Sequence, residues 1–214
     1  SLRNYQGRKA SNHANACDPA RYRLRLMIQP LVVHLSRLLG LSSAPSRFSR
    51  EQQRQASQRL LQLLYPHSSL AHSPDGAPQL RGSQIQLSLS HSGDYLALLI
   101  APPRWRVGVD LETDFSRPLR LAARFLSQEE LSLLSTLPSH EQSRYALAAW
   151  CAREAVYKAI PNASADFRRH YTLSHYPHRP VISYHPSDEE PLQIPLHFYL
   201  HQEYLFAYCA LFRG

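Results

Sequence analysis

The chain has 214 residues, 43% of them hydrophobic, and a formal net charge of +8. That length supports one sizeable core or two small, closely packed ones, and with no apolar run of about 18 residues a transmembrane helix is not expected. The positive balance points to an acidic partner, with nucleic acid, anionic lipid, an acidic protein and a polyphosphate ligand all open.

Ser1 to Ala20 is polar and lacks the apolar middle of a secretion signal, so a cytoplasmic protein is expected. Cys17, Cys151 and Cys209 are odd in number and too widely spaced for a metal knuckle, which fits a reducing compartment. The 12 histidines are scattered, without HExxH or Cys/His ligand spacing. Apart from the alternating Arg21, Arg23, Arg25 set and Arg168-Arg169, the arginines are dispersed. No aromatic-interleaved RNA-binding motif accompanies them, so nucleic-acid binding is the weaker expectation.

Along the chain, Tyr22, Leu24 and Leu26 alternate with arginines as in a half-buried strand, and Pro30 interrupts the run that follows. Leu31 to Leu41 fits helix or strand. Ser49 with Gln52 forms a capping box that opens a helix from Arg50 to about Tyr65, which Pro66 ends. The stretch His67 to Gly82 is turn-rich and leads to strands near Ile85 to Leu89 and Tyr95 to Ala101. After Pro102-Pro103, Trp105 to Glu112 reads as a further strand, hairpinned with the preceding one. Ser127 with Glu130 caps a short helix, and Ser139 with Gln142 is a second capping box opening a long helix that runs through Lys158. Strands at roughly Tyr171 to Tyr184, Leu192 to His201 and Tyr204 to Phe212 complete an α+β pattern. A boundary near residue 103 divides it into an N-terminal half, 1–103, and a C-terminal half, 104–214.

Three features carry chemistry. All but two of the 24 basic residues are arginine, and one of the two lysines is Lys158. An arginine keeps its proton near neutral pH, whereas a lysine ammonium can be tuned to give one up. On the long helix Trp150, Glu154 and Lys158 share one stripe, and an exposed Glu-to-Lys pair that merely supports the helix is the plainer reading. On the strand, Val107, Val109 and Leu111 face one way and Gly108, Asp110 and Glu112 the other. Two carboxylates on a strand can be simply its solvated face. If Glu154 joins them, three hard oxygen donors suit Mg²⁺ bound with phosphate and water. Third, Ser88-Leu89-Ser90-His91-Ser92-Gly93-Asp94 reads as a strand ending in a hydroxyl-rich turn, which fits either phosphate binding or a self-satisfied polar turn.

Gly108-Val109-Asp110-Leu111-Glu112, followed by Glu154 and Lys158, resembles the signature of the phosphopantetheinyl transferases of the surfactin-synthetase-activating (Sfp) type. Ser88 to Gly93 resembles the family's serine-histidine-serine motif, and Phe125-Leu126-Ser127-Gln128-Glu129-Glu130 its phenylalanine-serine-x-x-glutamate segment. The resemblance covers residues 76–159. It implies a monomer of two similar α/β halves with the site between them, a pseudo-dimeric fold. It also implies Mg²⁺-dependent transfer of the phosphopantetheine arm of coenzyme A to a serine of an apo acyl or peptidyl carrier protein. By similarity, Asp110, Glu112 and Glu154 are the metal ligands, and Glu154 doubles as the base that takes the serine proton. Lys158 stabilises or protonates the leaving phosphate, while Ser90 and His91 hold coenzyme A near its 3′-phosphate. Arg54 and Arg153 are further phosphate contacts under this reading.

The chain departs from the family at Arg153 and Ala77, where lysines are usual, and at Ser88, where asparagine is frequent. These departures bear on coenzyme A affinity. They keep open a noncatalytic relative that binds coenzyme A or a carrier protein, and a basic nucleic-acid-binding protein remains a third class.

Overall fold

The computed structural model describes residues 28–74, 76–187 and 190–213. The expected strand at Tyr22 to Leu26, the basic set Arg21, Arg23 and Arg25, and Cys17 lie outside the described residues.

Two three-stranded antiparallel sheets form the centre. The first has the order β1 (Gln29–His34), β5 (Tyr95–Ala101), β4 (Gln86–Ser92), and the second the order β10 (His197–Leu200), β11 (Leu205–Phe212), β6 (Trp105–Glu112). Strand periodicity explains how they stack. Leu96 and Leu98 of β5 point to a core formed with helices α1 (Leu35–Leu39) and α2 (Arg50–Leu64), while Ala97, Leu99 and Ala101 pack on Val107, Val109, Leu111 and Phe206 of the second sheet. The far face of that sheet, through Leu205, Ala207 and Cys209, is covered by α5 (Ser139–Ala159). The layers therefore run helix, sheet, sheet, helix.

Smaller pieces flank this stack. β2 (Ser69–His72) and β3 (Pro78–Arg81) make a hairpin, and β7 (Tyr171–Ser174), β8 (Val181–Tyr184) and β9 (Leu192–Pro195) make a third sheet. Helices α3 (Arg117–Phe125) and α4 (Gln128–Thr136) precede α5, and the short α6 (Phe167–His170) follows it. No described helix is long and apolar enough to cross a membrane.

The capping boxes at Ser49 with Gln52 and at Ser127 with Glu130 are both formed. The one at Ser139 is not: α5 starts one residue earlier than a Ser139 cap requires, with the Pro138 carbonyl accepting from the amides of Glu141 and Gln142 and the Gln142 side chain turned to Leu137 O. The Leu31 to Leu41 segment divides into the end of β1 and the whole of α1. β6 is not hairpinned with β5. Its ladder partner is β11, in register from Trp105 opposite Phe212 to Glu112 opposite Leu205. The prolines at 102 and 103 offer no amide to extend a ladder, and the turn that closes with Trp105 N on Pro102 O lays the two aliphatic faces on each other instead.

The sheets are also stitched along one edge. Ser88, Ser90 and Ser92 accept hydrogen bonds from the amides of Val109, Leu111 and Thr113 at 3.1, 3.2 and 3.0 Å. The pairs keep a constant offset of 21 residues, so β4 and β6 run parallel with serine hydroxyls standing in for backbone carbonyls. This positions the serine motif against the carboxylate strand.

Candidate functional site

Gly108 lets the site form. A β-carbon there would fall 1.8 Å from the Ala155 carbonyl oxygen and 2.9 Å from Ala159 N. Only glycine allows α5 to lie this close to β6, and the alanines at 148, 152, 155 and 159 leave the helix surface low enough to match. The same face of β6 then presents Asp110 to the last turns of α5.

Lys158 Nζ donates to Asp110 Oδ1 at 2.7 Å, to Val109 O at 3.1 Å and to Ser90 Oγ at 3.2 Å. All three ammonium protons have an acceptor, which fixes the charge in place. Ser90, buried, donates its own proton to Asp110 Oδ1 at 2.9 Å. Glu112, at the strand end, accepts through Oε1 from Ser92 Oγ at 2.6 Å and from the amides of Thr113 and Asp114 at 3.0 and 3.2 Å.

Glu154, one turn before Lys158, has no hydrogen-bond partner among the described residues. Burial pushes its carboxyl up to about 6; Asp110 and Glu112 add to the rise, and Lys158 and Arg117 oppose it. This is a carboxylate kept uncomfortable first by burial and then by other carboxylates. Beneath lies the buried Cys151 thiol, which burial and then the nearby Asp110 hold well above the usual thiol range. The donor chemistry of Asp110, Glu112 and Glu154 fits a hard cation. As they stand, no three His, Cys, Asp or Glu side chains among the described residues close on one metal position, because Asp110 is drawn to Lys158 and Glu112 to Ser92 and the turn amides.

Ser90 and His91 lie within β4 rather than in a turn; the turn is Gly93-Asp94, between the paired Ser92 and Tyr95. His91 points away from Ser90, as strand neighbours do, and its Nε2 is 2.8 Å from Ser57 Oγ on α2. Ser57 spends its proton on Gln53 O at 2.9 Å, so His91 Nε2 is the donor of that pair. Burial lowers the histidine's proton affinity, Gln53 O raises it, and the charge of Lys158 adds to the lowering.

Arg54 is paired within its own helix. It sits on the exposed surface of α2, gripping Glu51 through Nε at 3.0 Å and Nη2 at 2.7 Å. Arg153, by contrast, is not available as a phosphate contact. Its guanidinium is 0% exposed and lies 2.5 Å from Glu130 Oε2, with Nη1 on Ala149 O, Nη2 also on Tyr171 O, and the ring of Phe125 beneath it.

Beside Lys158 opens a cleft of about 660 Å³ between Gly76-Ala77 and the start of β3, β4, the start of β6 and the end of α5. Arg106 and Arg213 also line it. Neither was expected from sequence, where each looks like one more dispersed arginine; the strand alternation that places Arg106 on the face of Gly108 and Asp110 was the available signal.

The family model of the 4′-phosphopantetheinyl transferase superfamily matches residues 106–209. A Synechocystis sp. protein (strain ATCC 27184 / PCC 6803 / Kazusa) named "Putative 4′-phosphopantetheinyl transferase" is 29% identical over 106 residues, which make up 47% of this chain and 43% of that protein. The chain thus matches less than half the length of this relative. A crystal structure of a holo-(acyl-carrier-protein) synthase from Bacillus anthracis str. Ames, in complex with CoA (3′,5′-ADP), superposes with a TM-score of 0.37 at 15% identity, over 50% of this chain and 96% of that one.

Proposed function

We propose that this chain is a 4′-phosphopantetheinyl transferase of the Sfp type, which moves the phosphopantetheine arm of coenzyme A to a serine hydroxyl of an apo acyl or peptidyl carrier protein. One observation carries the reading. The stretch matching the superfamily, 106–209, contains both the strand with Asp110 and Glu112 and the helix with Glu154 and Lys158, and the fold lays the two together beside an open cleft.

In this reading the carrier serine oxygen attacks the β-phosphate of coenzyme A, a new phosphodiester forms, and the pyrophosphate bridge breaks to release adenosine 3′,5′-bisphosphate. Glu154 is the group suited to take the serine proton, since its carboxyl already binds a proton more readily than an ordinary glutamate. Lys158, held by three acceptors, keeps a fixed positive charge for the departing phosphate. Asp110, Glu112 and Glu154 would hold Mg²⁺, which when bound neutralises charge on the pyrophosphate. The serines of β4 set the carboxylate strand in place, and His91 braces β4 itself against α2.

The same reading relates the two halves, 1–103 and 104–214. Each runs from a strand through helices and a small sheet to a hairpin whose second strand pairs with the first, giving β1–β5–β4 and β6–β11–β10. The net charge of +8 suits both polyanionic coenzyme A and an acidic carrier. A monomer working in the cytoplasm accords with this.

Intact-mass spectrometry of apo carrier proteins incubated with the protein, coenzyme A and Mg²⁺, with an EDTA control, tests it. A phosphopantetheine mass gain that EDTA abolishes is expected. No gain on any fatty-acid, polyketide or nonribosomal-peptide carrier, despite measurable coenzyme A binding, would leave a noncatalytic binder.

A further inference from the structure

The serines of β4 do more to β6 than stitch it. Holding two parallel strands together needs only the acceptor half of a hydroxyl, which Ser88, Ser90 and Ser92 all supply, to the amides of Val109, Leu111 and Thr113. Each hydroxyl also has a proton to place. Ser90 gives its proton to Asp110 Oδ1 at 2.9 Å, and Ser92 gives its own to Glu112 Oε1 at 2.6 Å. In both cases the carboxylate belongs to the residue just before the amide that the same serine accepts. One step back along this ladder the corresponding residue is Gly108, so Ser88 holds no carboxylate.

The consequence falls on single oxygens. Asp110 Oδ1 takes both Ser90 and Lys158, and Glu112 Oε1 takes Ser92 and the amides of Thr113 and Asp114. No described N–H or O–H group donates to Asp110 Oδ2 or to Glu112 Oε2, although the Cys151 thiol lies close to Asp110. Each carboxylate is anchored through one oxygen and has the other to give. A bond from a neutral hydroxyl is strengthened by the carboxylate's charge and leaves that charge in place. Ser90 itself has nothing over for a ligand. It is 6% exposed, its proton is on Asp110, and its two lone pairs face Leu111 N and Lys158 Nζ.

We propose that Ser90 and Ser92 are positioning residues of the cation site, each fixing one oxygen of its carboxylate so that Asp110 Oδ2 and Glu112 Oε2 are presented to the ion. Glu154, which has no hydrogen-bond partner among the described residues, is the member of the set free to turn in and close it. Ser90 thereby moves from the coenzyme A contact expected by resemblance to the support of a metal ligand. Groups that orient metal ligands typically change metal affinity by about 10–100-fold when they are lost. The inference rests on the transferase reading for the cation itself and adds how this chain holds its ligands ready.

Binding of Mn²⁺, read from the paramagnetic resonance signal of the free ion, tests this on the full chain and on Ser88→Ala, Ser90→Ala and Ser92→Ala. The changes at Ser90 and Ser92 are each expected to raise the Kd for Mn²⁺ about tenfold or more, while Ser88→Ala, which loses an amide contact of the same kind and no carboxylate contact, stays within about twofold. Coenzyme A affinity in EDTA, by titration calorimetry, should hold within about twofold in Ser90→Ala. In transfer assays the Ser90 and Ser92 variants should regain kcat as Mn²⁺ is raised, which a misfolded site would not do.

Equal weakening in all three variants would mean that stitching alone matters, and tighter Mn²⁺ binding in the Ser90 or Ser92 variant would mean that the serines hold the acids away from the ion. Either result overturns the proposal, as does a loss of coenzyme A affinity in Ser90→Ala or a parent chain that binds no Mn²⁺. Transfer assays separate it from the function it rests on. Metal-dependent transfer with an Mn²⁺ affinity that neither serine alters sinks the positioning role alone. Serine-dependent Mn²⁺ binding without transfer to any carrier sinks the transferase reading alone.

Discussion

Two cation–carboxylate pairs leave helix α5 five residues apart, and they are built to opposite ends. Arg153 with Glu130 is dry and complete: the guanidinium also reaches Ala149 O, Tyr171 O and Phe167 O, and Glu130 also accepts from Ser127 N and Leu173 N. It ties α4, α5, α6 and β7 into one body. Lys158 with Asp110 lies at a cleft, the lysine side chain 27% exposed, next to a glutamate that no hydrogen bond among the described residues satisfies. Every side-chain nitrogen and oxygen in the first pair is used by the protein. In the second, charge is gathered beyond what the protein itself neutralises. The difference marks one as scaffold and the other as a place for a charged ligand.

Removing one member of each pair should separate the roles. Arg153→Ala leaves Glu130 buried without its counter-charge and should cost about 3–5 kcal/mol of stability, read as a fall in the urea midpoint. A double change, Glu130→Gln with Arg153→Met, should recover part of that loss, because no unpaired charge is left buried and the amide oxygen still accepts from Leu173 N. Lys158→Ala should do the reverse. Transfer to a carrier, under the proposed function, should fall by about 10²–10³-fold, with a clearly smaller fall in the urea midpoint than Arg153→Ala gives, because this pair is partly open to water. Comparable instability in both single variants would erase the distinction. Gly108→Ala attacks the geometry that both pairs share. With its β-carbon 1.8 Å from Ala155 O, α5 must lift from β6, at about 1–3 kcal/mol for overpacking, and transfer should fall further than stability because Lys158 and Asp110 separate.

How much of this could be read beforehand follows the range of the interactions. The capping boxes at Ser49 and Ser127, the β5 and β6 boundaries and the alternation of Gly108, Asp110 and Glu112 are local, and the chain displays them. The partner of β6 is not local. A hairpin from β5 was the economical reading, but β11 lies some hundred residues on, and only packing of the two aliphatic faces selects it. The segments read as single strands at Tyr171 to Tyr184 and Leu192 to His201 are each two strands, the second divided at Leu196 between two sheets. Helix α3 and the β2–β3 hairpin were missed in stretches that look like connections. Arg153 misled for a plainer reason. It adjoins Glu154 in sequence, yet consecutive residues on a helix point about 100° apart, so one reached the cleft side and the other the core. The serines of β4 look like a phosphate-binding turn because the hydroxyl pattern is the same whether its acceptors serve a ligand or the amides of β6.

Glu154 provides the finest test of the contrast, because its discomfort should be visible as a pH dependence of stability. Its carboxyl is raised from 4.5 to about 6 by burial and by Asp110 and Glu112, with Lys158 and Arg117 pulling the other way. Between those values the folded state binds more proton than the unfolded one, so stability falls as pH rises through the window and stays lower above it. Glu154→Gln removes the titration. In metal-free buffer with EDTA, the variant should match the parent near pH 4 and exceed it at pH 8 by about 1–2 kcal/mol, given that a shift of one pKa unit is worth about 1.4 kcal/mol. Chemical unfolding at the two pH values reads this directly. An equal difference at both would mean that the gain comes from packing, and that Glu154 is as settled in its surroundings as Glu130.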